Sequence, residues 1–125
     1  MTSLESIARE RADASGGQLL VLGIEDLQAL VALEQEIFPE DPWTTGMIAQ
    51  ELSSGRSVYF GVCVNDDAVA APVLCGYAGI AVGIDADVMT MGVLPDFRGR
   101  GLGRVLMDAL IDVARRWGSE RVFLE

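Results

Sequence analysis

Residues 86–117, ADVMTMGVLPDFRGRGLGRVLMDALIDVARRW, read as a strand, a turn and a helix in succession. The apolar residues Val88, Met89, Met91 and Val93 predict a short strand, which Pro95 stops because its ring removes an N–H from the ladder. In the turn, Gly99, Gly101 and Gly103 are interleaved with Arg98, Arg100 and Arg104. Leu102, Val105, Leu106, Ala109, Leu110, Val113, Ala114 and Trp117 then recur at the i, i+3, i+4, i+7 spacing of a helix with one buried face. Gly118 follows, where a residue with positive φ commonly closes a helix.

The charges at the start of this helix conflict with its dipole. A first helical turn carries partial positive charge and unpaired N–H groups, so it favours Asp or Glu. Here three arginines crowd that end, in a chain with only nine basic residues and a formal net charge of -10. A bound anion resolves the conflict, with the glycines admitting it close to the backbone and the amides pointing at it. The competing reading is a solvent-exposed turn whose arginines point to water. The spacing is not that of a P-loop, which also needs a lysine, and the chain has none; nor is it GxGxxG, because position 104 is arginine.

The segment does resemble the acyl-CoA-binding motif of the GNAT superfamily of N-acetyltransferases. That motif, Arg/Gln-x-x-Gly-x-Gly/Ala after a strand ending in Val-x-Pro, is matched by Arg98, Gly101 and Gly103 after Val93-Leu94-Pro95. The resemblance implies that acetyl-CoA is the co-substrate, held by Met91, Gly92 and Val93 along the strand and by Arg98, Gly99, Arg100, Gly101, Leu102, Gly103 and Arg104 around the pyrophosphate. In that family the strand pairs its backbone with the pantetheine arm. No metal is expected.

Composition narrows the chemistry. A chain of 125 residues, half of them hydrophobic, is long enough for one domain with a core. No apolar run approaches the roughly 18 residues of a membrane span. Residues 1–18, MTSLESIARERADASGGQ, lack the apolar centre of a signal peptide. Residues 1–17 read as a polar leader expected to be disordered, and the expected location is the cytoplasm. A pI near 4.3 argues against a nucleic-acid surface and suits a basic partner, although ordinary solubilising charge explains it equally well. The absence of histidine excludes Ser-His-Asp and Cys-His catalysis and histidine-ligated metals. The absence of lysine excludes a Schiff base. Cys63 and Cys75 stand alone in apolar runs and read as buried, reduced thiols.

Along the chain, residues 18–22 form a β-like run that Gly23 breaks. Asp26 is the expected N-cap of a helix over 27–38, whose pattern runs through Leu27, Leu30, Val31, Leu33, Glu34 and Ile37. Thr44 or Thr45 is expected to cap a second helix through Met47, Ile48 and Leu52, closed by Gly55. Residues 57–64 and 72–82 read as strands, with turns at 65–67 and around Gly83 and Asp85. Tyr59 and Tyr77 read as core or sheet-face residues. Residues 121–125 begin a last strand.

This β-α-α-β-β-β-α-β order is similar to the first part of the GNAT acyl-CoA N-acyltransferase fold, an α+β (α/β mixed) architecture. Its mixed sheet is flanked by helices, and strands four and five splay apart to admit the acyl-CoA. The domain is expected over residues 18–125. The segment Leu33-Glu34…Phe38…Pro42-Trp43-Thr44…Glu51-Leu52 and the closing Phe123-Leu124-Glu125 resemble one branch of the family, the RimI type, which acetylates protein N-termini. That resemblance implies that Glu125 is the general base and that the backbone amide around Val93 polarises the thioester. It also implies that the acceptor is a basic protein or peptide N-terminus, the N-terminal alanine of a small-subunit ribosomal protein. Trp43 reads either as a packing plug or as a substrate contact at the acceptor groove. The family pattern continues past strand five with an Asn, a Tyr proposed as general acid, and two further strands, so the domain is expected to be C-terminally incomplete. A small-amine acetyltransferase and a non-catalytic acyl-CoA-binding module remain open as alternatives.

Overall fold

A computed structural model describes residues 4, 17–65 and 72–124. The elements within them are β1 (Gln18–Leu22), α1 (Leu27–Ile37), α2 (Thr45–Ser53), β2 (Ser57–Val64), β3 (Val73–Ala81), β4 (Asp85–Val93), α3 (Leu102–Trp117) and β5 (Arg121–Phe123). The expected turn at 65–67 falls outside the described residues beyond Asn65, as does Glu125.

The strands lie in the spatial order β1-β2-β3-β4-β5. Neighbours from β1 to β4 are antiparallel, and β5 joins β4 in parallel after the crossover through α3. The mixed sheet of the acyltransferase fold is thus present. α3 covers one face. Its residues Leu102, Leu106 and Leu110 are almost fully buried against Phe60, Val62, Ala78 and Ile80. Each such burial contributes roughly 1.5–3 kcal/mol. α1 and α2 cover the other face, where Leu30, Leu33, Ile37 and Ile48 meet Tyr59 and Tyr77. No described helix is long and apolar enough to cross a membrane.

Several local expectations are corrected. Asp26 occupies the N-cap position of α1 as expected, but its side chain makes no cap bond to that helix; its Oδ2 instead accepts from the Gly23 N–H at 2.9 Å, closing a short 3-10 turn that delivers the chain into the helix. α1 ends at Ile37 rather than Phe38, which adopts a non-helical φ of -123° and ψ of 65°. Thr44, rather than Thr45, caps α2, accepting from the Met47 N–H at 3.1 Å. Gly55 does not close α2: Ser54 already leaves the helix in extended conformation, and Gly55 is not among the positive-φ glycines. β3 is one residue shorter at each end than expected, and Asp85 is the first residue of β4 rather than part of the preceding turn. Trp117 is 64% exposed instead of belonging to the buried face of α3. The packing platform of that helix is β2, β3 and β4, and Val113 and Ala114 are the last of its residues to be buried. Gly118 does close α3, with φ 93°.

β5 meets β4 only at its beginning. The pairing runs Asp85↔Arg121, Ala86↔Val122 and Asp87↔Phe123, and the described part of β5 goes no further. Ser119 Oγ donates to Gly83 O at 2.6 Å, and the Arg121 guanidinium meets Asp85 at 2.7 Å, so the strand is fastened at this end. Residues 88–93 of β4 pair with no described strand on that side, and this edge leads to the site.

Candidate active site

A cleft of about 270 Å³ lies between the end of β4 and the start of α3. Met91, Gly92 and Val93 line it from the strand. Phe97, Arg98 and Gly99 line it from the turn, and Gly101, Leu102 and Gly103 from the start of the helix. Arg100 and Arg104, named with these from the sequence, are not part of the lining: the Arg100 guanidinium lies 5.0 Å from the centre of the Phe97 ring, and Arg104 is exposed on α3. Phe97 was not singled out from the sequence, though it is the one aromatic residue inside the glycine–arginine turn.

The turn owes its shape to glycine. Gly99 and Gly101 have φ of 80° and 81°, the left-handed region that side chains disfavour. A Cβ built on Gly99, Gly101 or Gly103 would meet nothing within 4 Å, so the backbone here borders open space. Gly101 starts α3 without any side-chain cap. The first helical bond runs from Val105 N–H to Gly101 O at 3.1 Å. The amides of Leu102, Gly103 and Arg104 therefore lack intrahelical acceptors. No acidic residue stands in this first turn, while Arg115 and Arg116 complement the dipole at the other end.

On the strand side, Leu94 N–H bonds Cys75 O at 2.7 Å. Backbone groups alternate along an antiparallel ladder, so this bond places those of Met91 and Val93 on the side away from β3. Arg98 confirms the direction, since its Nε donates to Val93 O at 3.0 Å. The cleft thus offers outward-facing strand backbone at one end and unpaired helix amides with a guanidinium at the other. It can take an extended ligand with amide groups that ends in an anion.

The remaining residues named from the sequence lie elsewhere. Trp43 is half-buried against the α1–α2 core and does not line the cleft. Its backbone N–H donates to Glu34 Oε2 at 2.7 Å. Glu125 is outside the described residues. Cys63 and Cys75 are buried and free, and burial pushes the Cys75 thiol up to about 11 and raises that of Cys63, the reverse of what a nucleophile needs.

Two carboxylates that tie the helices to the sheet went unassigned in the sequence reading. Glu34, 2% exposed, accepts from the Tyr77 hydroxyl as well as from Trp43 N–H. Glu51 accepts from the Tyr59 hydroxyl at 2.7 Å. Burial, reinforced by these bonds, holds both phenols well above the usual tyrosine range, so they stay neutral donors. The signal for Glu34 was visible, because an acid recurs there on the same helical face as Leu30, Leu33 and Ile37.

Comparison with known proteins identifies the family. Residues 27–125 match the profile of the Acetyltransferase (GNAT) family. The chain is 38% identical over 96 residues to the N-alpha-acetyltransferase RimI of Mycobacterium tuberculosis, an alignment covering 72% of this chain and 57% of that protein. It is 26% identical over 103 residues to a putative [ribosomal protein bS18]-alanine N-acetyltransferase of Bacillus subtilis, covering 82% of this chain and 64% of that one. The crystal structure of the ribosomal-protein-S18-alanine N-acetyltransferase from Escherichia coli superposes with a TM-score of 0.73 at 26% identity, over 86% of this chain and 65% of its own. The chain therefore spans somewhat under two thirds of the length of each of these relatives. From the family match over residues 27–125 and the mycobacterial identity, the chain belongs to the acetyltransferase (GNAT) family.

Proposed function

We propose that the chain forms the acetyl-CoA-binding part of an N-acetyltransferase acting on a protein α-amine, with the N-terminal alanine of a small-subunit ribosomal protein as acceptor. The observation that carries this reading is the cleft itself, where outward strand backbone at Met91 and Val93 leads to the uncapped amides of α3. Met91 and Val93 would pair with the pantetheine amides as an added strand does. Gly99, Gly101, Leu102, Gly103 and the Arg98 guanidinium would hold the pyrophosphate, with Arg100 and Arg104 adding long-range attraction from the rim. These residues fit acetyl-CoA, whose thioester carbonyl would accept from the Val93 N–H.

The acceptor amine must lose a proton to attack. An α-amino group has a pKa of about 7.7–8.0, so at neutral pH much of it is protonated. Glu125 is the proposed base, taking that proton directly or through water. The amine nitrogen then bonds the acetyl carbon, the C–S bond breaks, and the proton that the acylated nitrogen sheds neutralises the departing thiolate, giving the amide and free CoA. A ribosomal-protein acceptor is supported by the RimI-type relatives and by the net charge of -10, which attracts a basic peptide.

Acetyl transfer from acetyl-CoA to an Ala-initiated basic peptide, followed by mass spectrometry, tests the proposal against polyamines and aminoglycosides as rival acceptors. Acetylation of the peptide α-amine is the expected result. Acetylation of small amines alone would overturn the ribosomal-protein reading, and binding without any transfer would favour an acyl-CoA-binding module.

A further inference from the structure

Glu34 joins two parts of the molecule that the cleft needs in fixed relation. One oxygen receives the N–H of Trp43, nine residues on in the α1–α2 loop, and the other receives the Tyr77 hydroxyl from β3. Tyr77 pairs in register with Gly92, a cleft residue of β4, and its hydroxyl also interacts with the Thr90 side chain of the same strand. Gly92 in turn touches α1 so closely that a Cβ there would lie 2.6 Å from Ile37 and 3.0 Å from Phe38. One buried carboxylate thus holds the loop to the part of the sheet that forms the cleft floor.

Beside the cleft runs a groove of about 340 Å³ that shares Phe97 with it. Gln35, Glu36 and Pro39 form its α1 side, and Leu94 and Asp96 the opposite one. The α1 wall follows Glu34 directly in the chain, so any slackening at Glu34 moves that wall relative to β4. The neighbouring clasp differs: Glu51 and Tyr59 fasten α2 to β2 and contain no bond to the loop.

We propose that Glu34, through Tyr77 and Trp43, is a positioning residue that sets the acceptor side of the transfer site without touching the reacting atoms. This rests on the acetyl-transfer reading above for its effect on turnover, but not for its effect on the loop. The consequence is specific. Loosening Glu34 should weaken use of the acceptor while leaving acetyl-CoA binding intact, since the pyrophosphate turn is anchored separately through Arg98 and Val93.

The test uses Trp43 as its own reporter. The only other tryptophan, Trp117, is removed by Trp117→Phe, at a site 64% exposed. In that background Tyr77→Phe should increase acrylamide quenching of Trp43 and raise the acceptor KM about tenfold, the size expected for one buried hydrogen bond to a charged group. The Kd for acetyl-CoA should not change, nor should kcat, because uniform acceptor binding is what is lost. Glu34→Gln, which keeps one acceptor oxygen, should lie between Tyr77→Phe and Glu34→Ala. Unchanged quenching in Tyr77→Phe, or an equal effect from Tyr59→Phe, would overturn the proposal, the latter by showing general loosening. Quenching needs no turnover, so absence of acetylation by the unsubstituted chain would count against the functional reading and leave the clasp to be judged by fluorescence.

Discussion

Arg98 donates from Nε to the carbonyl oxygen of Val93 across 3.0 Å, bridging the turn and the strand that form the two ends of the cleft. The bond fixes the guanidinium beside the uncapped start of α3 while using only part of its donor set. Arg98→Ala should therefore weaken acetyl-CoA binding on the order of tenfold, the loss expected for a charge-assisted contact. Arg98→Lys should recover only part, because an ammonium cannot hold Val93 and an anion in the same planar fork. Calorimetric titration of the two variants checks this, and equal recovery by lysine would show that charge alone matters.

Glycines on the turn and in the sheet should respond in opposite ways. Gly103 lies in helical backbone with free space around it, so Gly103→Ala should stabilise the fold by about 0.5–1 kcal/mol. The same methyl group stands in the cleft and should reduce acetyl-CoA affinity. Gly79→Ala has no such room: its Cβ would lie 2.1 Å from the Tyr59 ring. Displacing that ring should cost roughly 1–3 kcal/mol or more. Urea denaturation of both variants reads the two signs.

Stability should fall in alkali. Folding raises the Cys75 thiol from the ordinary 9.0 to about 11, chiefly through burial, and raises Cys63 and both tyrosines as well. A group raised in the folded state binds more protons there than in the unfolded chain, so its contribution is complete below pH 9.0 and disappears as the pH climbs towards 11. Thermal melts from about pH 7 to pH 11 should be flat at first and then decline, and Cys75→Ala should remove part of the decline. A melting temperature that rises above pH 9.0 would contradict the burial of these groups.

Capping offers a comparison between two residues that look alike in the sequence. Thr44→Ala removes the acceptor for Met47 N–H and should cost about 1 kcal/mol. Asp26→Ala should destabilise only through the lost bond from Gly23, with α1 keeping its first turn. Chemical denaturation of the two variants, with helix content by circular dichroism, distinguishes the cases.

That comparison also shows where sequence reading succeeds. The strand, glycine turn and helix between Ala86 and Trp117 were legible because Pro95, the alternating glycines and the apolar spacing of α3 all act locally. Eight of the residues named for the cleft do line it, since strand, turn and helix are consecutive in the chain. What could not be read depends on which partner each side chain finds, near or distant. Asp26 holds the N-cap position but turns its carboxylate back to Gly23, Trp117 stays exposed at the end of α3, and the role of Glu34 is decided by Tyr77, forty-three positions away. Periodicity assigns a face to a residue; it does not say which polar group waits there.

Binding of acetyl-CoA by the glycine turn before α3 can be read by isothermal titration of the chain with that co-substrate. Saturable binding that Gly101→Val abolishes is expected, since valine at a φ of 81° strains the turn by about 1–2 kcal/mol and its side chain enters the cleft. Heat release of dilution only from a chain that circular dichroism shows to be folded, or undiminished binding by a folded Gly101→Val variant, would contradict it.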